Sequence, residues 1–167
     1  HPGSSDLLRA REGALKAREL AKLGRKGPKL LLENTAGGGE LLGNRLETLA
    51  EIIEGTPLGV CFDTCHAFAA GYPIHQDPKG VLDQLEEVIG LRNVPVIHLN
   101  DSAADFDSRI DHHAGLLEGQ IGEGLRTFIT DGRLQNKVAI MEARRSTMED
   151  AHNLRVLREW LEDTDSR

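Results

Sequence analysis

Four short apolar runs in this chain each end on a side chain that can hold a metal ion. They are "KLLLE" (29–33) at Glu33, "LGVCFD" (58–63) at Asp63, "VPVIHLN" (94–100) at His98 and "KVAIME" (137–142) at Glu142. Mostly aliphatic runs of this length, followed by polar or glycine-containing turns, predict strands buried in a parallel sheet. The side-chain period of two puts Leu31 with Glu33, Cys61 with Asp63, Val96 with His98 and Ile140 with Glu142, so each polar group is expected at the carboxyl end of its strand.

Helical patterns separate the runs. Leu42, Leu46, Leu49, Ala50 and Ile53 recur at spacings of three and four, as do Leu82, Leu85, Val88 and Ile89. A first helix is expected over 5–23, with Leu8, Leu15 and Leu23 on one side. A last helix is expected after "STMED", where Ser146 and Glu149 have capping-box spacing and Leu154, Leu157 and Leu161 form a stripe. Helices alternating with strands define a parallel α/β architecture.

Catalytic groups at the carboxyl ends of successive strands are the signature of a (β/α)8 TIM barrel, in which eight strands aim side chains at one point. A dinucleotide-binding sheet uses the same edge, but no G-x-G-x-x-G follows a strand here, and "TAGGG" (35–39) reads first as a turn. A closed barrel takes about 250 residues. At 167 residues and about four strands, the chain is expected to be the C-terminal half of a barrel, with His1 at the end of a strand whose body is missing. Residues 1–167 then form one partial TIM-barrel domain.

Composition narrows the function. The chain holds no run of the roughly 18 apolar residues that a membrane helix needs, and it opens without a signal peptide, so a cytoplasmic protein without membrane contact is expected. A formal charge of −7 argues against a broad basic surface for DNA. Cys61 and Cys65 make neither a disulfide framework nor paired C-x-x-C clusters and are expected to be ordinary thiols. No serine sits in a G-x-S-x-G elbow.

Carboxylates and imidazoles converging in a barrel mouth require a cation to offset repulsion and desolvation. Asp, Glu and His without thiolates suit zinc, manganese or iron. Asp63 and His66 can serve neighbouring ions. Asp111 and His113, two residues apart, share one side of an extended segment, which makes His66, Asp111 and His113 a plausible second set. Close pairs or trios of metals are characteristic of phosphoester chemistry.

These motifs together resemble the endonuclease IV family of apurinic/apyrimidinic endonucleases. The stretches are "HPGS" (1–4), "LENTAGGG" (32–39), "GVCFDTCHAFAAGY" (59–72), "HLNDS" (98–102), "SRIDHH" (108–113), "EGQIG" (118–122) and "MEA" (141–143), in the family's order. The resemblance implies a TIM barrel with three zinc ions. It implies hydrolysis of the phosphodiester 5′ to abasic sites in double-stranded DNA, leaving a 3′ hydroxyl, as in base excision repair, by a protein monomeric when complete. Carried over, Glu33 bridges two ions, and Asp63, His98 and Glu142 complete the second ion's shell. His1 joins Glu33 on a first site that is incomplete here, and His66, Asp111 and His113 hold the third ion. Glu33, Asp63 and Glu142 are the catalytic carboxylates, Arg109 and His112 contact nucleic acid, and Tyr72 is structural. The chain departs from the family at His112, where arginine is usual, at Asp107 and Leu117, where glycine is usual, and at Ala143, where threonine is common. Two other functions compete: a single-metal sugar isomerase or epimerase of the xylose-isomerase-like barrels, and an inactive truncated fragment. A one-metal isomerase has no need of the set His66, Asp111 and His113.

Overall fold

The computed structural model describes residues 4–24, 27–39, 41–142 and 147–165. His1, Ala143 and Ser146 lie outside them. The elements run α1 (Ser4–Leu20), β1 (Leu31–Glu33), α2 (Leu46–Ile53), β2 (Gly59–Asp63), α3 (Thr64–Ala69) and α4 (Pro78–Val88). They continue with β3 (Val96–His98), β4 (Asp101–Ser102), β5 (His113–Ala114), α5 (Glu123–Ile129), β6 (Val138–Ile140) and α6 (Thr147–Asp165).

The four expected strands form one parallel sheet in the order β1-β2-β3-β6. Its register is staggered as a barrel wall requires. Glu33 pairs with Cys61, Asp63 with His98, and His98 with Ile140, so Asp63 and Glu142 each lie two residues beyond the partner of the preceding ligand. An offset of two keeps the alternation of faces. On β2, Val60 and Phe62 join the main apolar cluster with Leu85, Leu125 and Phe128, and the rings of Phe62 and Phe128 stack 5.7 Å apart. The other parity, Cys61 and Asp63, faces the opposite side, where a barrel interior would lie.

Three expectations are corrected. β6 is exposed rather than buried, because among the described residues it pairs only with β3 and forms the edge of the sheet. Its last hydrogen-bonded residue is Ile140, so Glu142 lies two residues past the strand. On α1, Leu8 is exposed and only Ala14 and Leu15 pack on the core. On α6, Leu154 and Leu161 are exposed, and the buried face is Asn153, Val156, Leu157 and Trp160. A polar contact sets that rotation: Asn153 Oδ1 accepts from the backbone N–H of Leu116 at 3.0 Å.

Local chemistry fixes the ends of the inner helices. Asp77 accepts from Gly80 N at 2.9 Å with Pro78 in the first turn of α4. The Tyr72 hydroxyl accepts from Leu46 N at 3.0 Å, which caps α2 from outside and bears out a structural role for that ring. The β4–β5 pair is antiparallel and brings His113 alongside Ser102. Asp101, fully buried, accepts from the N–H groups of Ser102 and Ile121 at 2.8 Å and of Gly122 at 3.2 Å, pinning the "EGQIG" loop. Gly119 sits so close that a Cβ there would overlap the Ser102 carbonyl.

Two non-glycine residues with positive φ, Asp107 (55°) and Leu117 (65°), occupy positions where the resembled family carries glycine. Left-handed backbone costs a branched side chain roughly 1 kcal/mol. Leu117→Gly is therefore expected to stabilise the protein by about 1 kcal/mol, and Gly119→Ala to destabilise it by about 1–3 kcal/mol through backbone overlap. Urea titration checks both, and the opposite order of stabilities would contradict the strain argument.

Candidate metal centre

The carboxyl ends of β1, β2 and β3, the first turn of α3, the segment into β5 and the segment after β6 bring together seven of the eight expected ligands. The eighth, His1, lies outside the described residues. Glu33, Asp63, His98 and Glu142 form one group, and Asp63, His66 and His113 another, with ligand atoms in each group within 4.8 Å of one another. Asp111 closes the second group: its Oδ2 is 3.3 Å from His66 Nε2 and its Oδ1 is 3.3 Å from His113 Nε2. The two Nε2 atoms are themselves 3.3 Å apart. A tetrahedral zinc ion bound at about 2.0–2.1 Å separates its ligands by about 3.3 Å, the spacing of the two imidazole nitrogens, while the Asp111 carboxylate meets each histidine through a different oxygen.

The first group is built differently. His98 Nδ1 faces Glu142 Oε2 at 2.8 Å, Glu33 Oε1 at 3.2 Å and Asp63 Oδ2 at 3.9 Å. One ring nitrogen has at most one proton to share among three carboxylates. The surplus negative charge in this half-buried pocket fits a divalent cation and suits no neutral ligand.

Asp63 stands between the groups. Its Oδ2 is also 3.6 Å from His113 Nε2, so its carboxylate borders both. Asp63 is fully buried, its Oδ1 accepting from His66 N at 2.8 Å and its Oδ2 from Asn100 Nδ2 at 2.7 Å. Burial pushes its pKa above the usual carboxylate range, against the pull of His66, His113 and Asn100. Glu33 goes the other way: its hydrogen bond with His66 and the nearby His98 outweigh desolvation and hold its pKa below the ordinary value.

Burial is the largest influence on His66 and pulls its pKa down. Glu33, Asp63, Asp111 and the Asn34 carbonyl together outweigh burial and raise it to about 9. The ring's two sides are divided. Nδ1 lies 2.9 Å from the Asn34 carbonyl and 3.3 Å from Glu33 Oε1, which fixes it as a donor, so Nε2, facing Asp111 and His113, is the atom that can bind a metal once its proton is lost. Asp63 and His66 are related by a strand end and a helix start rather than by a turn, because Asp63 is the N-cap of α3. That six-residue helix carries no length or stripe that a pattern could detect.

Two amides were not expected. Asn34 Oδ1 accepts from Asp63 N at 2.7 Å and its Nδ2 donates to Asp63 O at 2.9 Å, stapling the ends of β1 and β2. Asn100 Oδ1 accepts from Glu142 N at 2.8 Å while its Nδ2 holds Asp63, so one side chain positions two ligands. The only sequence signal is adjacency: Asn34 follows Glu33, and Asn100 follows His98 by the strand period. Arg109 and His112 are both exposed on the segment leading to β5. Arg109 pairs with Asp107 at 2.8 Å. Cys61 and Cys65 are buried, and burial pushes both thiols up to about 12. Cys65 is within ligand reach of Asp111 and His113, though fully buried.

Over residues 1–164 the chain matches the xylose isomerase-like TIM barrel family, and it belongs to that family. The resemblance to endonuclease IV is borne out by its relatives. It is 58% identical to endonuclease 4 of Thermus thermophilus, a match covering 98% of this chain and 60% of the relative. It is 41% identical to the probable endonuclease 4 of Thermoplasma volcanium, over 96% of this chain and 58% of the relative. The chain thus spans about three fifths of the curated relatives it matches. A crystal structure of endonuclease IV from Thermus thermophilus superposes with a TM-score of 0.91 at 57% identity, over 98% of this chain and 60% of that one. A D-tagatose 3-epimerase-like protein shares the fold, with a TM-score of 0.68 at 21% identity over 96% of this chain and 56% of its own.

With its pKa raised from 6.5 to about 9, His66 contributes stability to chelator-treated protein that is full below about pH 6.5 and lost as pH rises through about 9. Tm is expected to fall across that window without metal and to rise with zinc added, since metal competes with the proton. A flat profile in both states would contradict this. Cys65→Ser is expected to leave metal content unchanged by elemental analysis, and loss of an ion would make the thiol a ligand.

Proposed function

We propose that, in the complete barrel of which residues 1–167 form part of one domain, this site binds three zinc ions. We further propose that it hydrolyses the phosphodiester 5′ to abasic sites in double-stranded DNA, leaving a 3′ hydroxyl for base excision repair. The observation that carries this reading is the trio His66, Asp111 and His113 beside the four-residue group. A single-metal isomerase has no use for a second ligand set with its own 3.3 Å spacing. Similarity to endonuclease 4 relatives supports the reading, while the epimerase-like neighbour speaks for fold alone.

Bound divalent ions would supply Lewis acidity toward phosphate oxygens and make water nucleophilic near neutral pH. The chain's own part is positioning. Glu33 Oε1 stands 3.3 Å from His66 Nδ1 and 3.2 Å from His98 Nδ1 and would be shared between two ions, with His1 assigned beside it on the first site. Asp63 and Glu142 complete the charge around His98, and Asn100 fixes both. Arg109 and His112 sit on the rim where a DNA strand would cross. His112 in place of arginine and Asp107 in place of glycine weaken that contact without removing a ligand. None of the described helices is long and apolar enough to cross a membrane. The proposal includes a cytoplasmic enzyme, monomeric when complete.

The test uses the complete protein on a duplex with one abasic site. Chelator-sensitive cleavage 5′ to that site is expected. Glu33→Ala is expected to lower kcat at least 1,000-fold, on the order of 4 kcal/mol in the barrier. Isomerisation of a ketose with no cleavage of abasic DNA would overturn the assignment.

A further inference from the structure

Asp111 is the most exposed of the described ligands, with 60% of its side chain open to solvent, yet it meets His66 and His113 at 3.3 Å. Its own packing supplies little of that placement, so the segment 103–112 has to be fixed elsewhere. The segment is tied to α3, the same short helix that presents His66. Asp107 N donates to the Phe68 carbonyl at 3.2 Å and Arg109 N to the Ala69 carbonyl at 3.0 Å, which satisfies groups that the end of α3 leaves open. Both residues have left-handed backbone, φ 55° at Asp107 and 63° at Arg109. Neither is glycine, so contacts elsewhere must offset the cost of this shape.

Phe106 supplies such a contact. Its ring centre lies 5.4 Å from that of Phe68 and 5.0 Å from that of His75, and those two rings meet edge to face at 5.1 Å. Phe68 is buried in the main apolar cluster, whereas Phe106 stays 42% exposed and outside it. The two rings, rather than the core, therefore seat Phe106. His75 serves them as a surface: its Nδ1 is buried without a hydrogen-bond partner among the described residues, a cost that packing has to cover.

We propose that Phe106 is a positioning residue for the ion assigned to His66, Asp111 and His113. Seated on Phe68 and His75, it clasps the loop to α3 and so sets the approach of Asp111 to a ligand carried by that same helix. The inference rests on the reading of that trio as an ion site and adds to it a residue that is not itself a ligand.

The complete, zinc-loaded protein is titrated with a chelating dye, and the component lost in His113→Ala identifies the ion at the trio. Phe106→Ala is expected to weaken that component about tenfold, as loss of an outer-shell support does, and to leave zinc around His98 unchanged. With cobalt in place of zinc, the visible bands of the same component are expected to shift, because they report ligand geometry. Phe106→Tyr keeps the ring and is expected to restore both readouts. His75→Phe, which keeps a ring and removes the unpaired nitrogen, is expected to match wild type. Phe128→Leu, in the main core, is expected to lower stability in urea with the ion affinity unchanged. Wild-type affinity and cobalt bands in Phe106→Ala would overturn the positioning role and leave the trio standing as an ion site. Absence of that component from wild type would overturn both. An equal loss of affinity in Phe128→Leu would reduce the effect to general stability and overturn the role. Weaker binding of an uncleavable abasic duplex by Phe106→Ala, with ion affinity unchanged, would make the ring a DNA contact and overturn it too.

Discussion

The structure turns on the burial of one carboxylate. Asp63 has no solvent exposure, yet it borders His98 at 3.9 Å and His113 at 3.6 Å and caps the helix that presents His66. A buried charge is tolerated when hydrogen bonds and opposite charge surround it. Here Asn100 and His66 N supply the hydrogen bonds, and imidazoles, or a cation among them, supply the charge. The two amides extend this arrangement: Asn34 fixes the backbone of Asp63, and Asn100 ties the same carboxylate to the backbone of Glu142. Ligands from β1, β2, β3 and the segment after β6 are thereby held by one polar network on top of an apolar sheet.

The register explains how ligands far apart in sequence converge. An offset of two residues at two of the three strand pairings advances the ligands along the arc while keeping them on one face. The antiparallel β4–β5 pair then folds back and delivers Asp111 and His113 to His66 from the other side. Buried Asp101 and the close approach of Gly119 hold that return in place. Without it only the group Glu33, Asp63, His98 and Glu142 would remain.

Much of this was legible in the sequence, for a physical reason. A strand that ends in a catalytic mouth must be apolar until its last residue, so Glu33, Asp63 and His98 mark their strands' ends as sharply as a turn would. Glu142 did so less well, since its strand stops at Ile140. The face of α6 was misjudged because leucine spacing was trusted, whereas Asn153 and Trp160 set the helix's rotation. α3 carries too few residues for a period. Asn34 and Asn100 act through backbone groups, and such hydrogen bonds leave no spacing to read. The positive φ at Asp107 and Leu117 was not read from the sequence, although both stand where the resembled family carries glycine.

The central claim is that two ligand sets, joined at Asp63, hold several ions at once. Elemental analysis of the complete protein, purified with zinc and dialysed, tests it most directly. The account predicts three ions per chain, with the ion count lowered in His113→Ala while zinc remains in the group around His98. One ion per chain, unchanged in that variant, would contradict it.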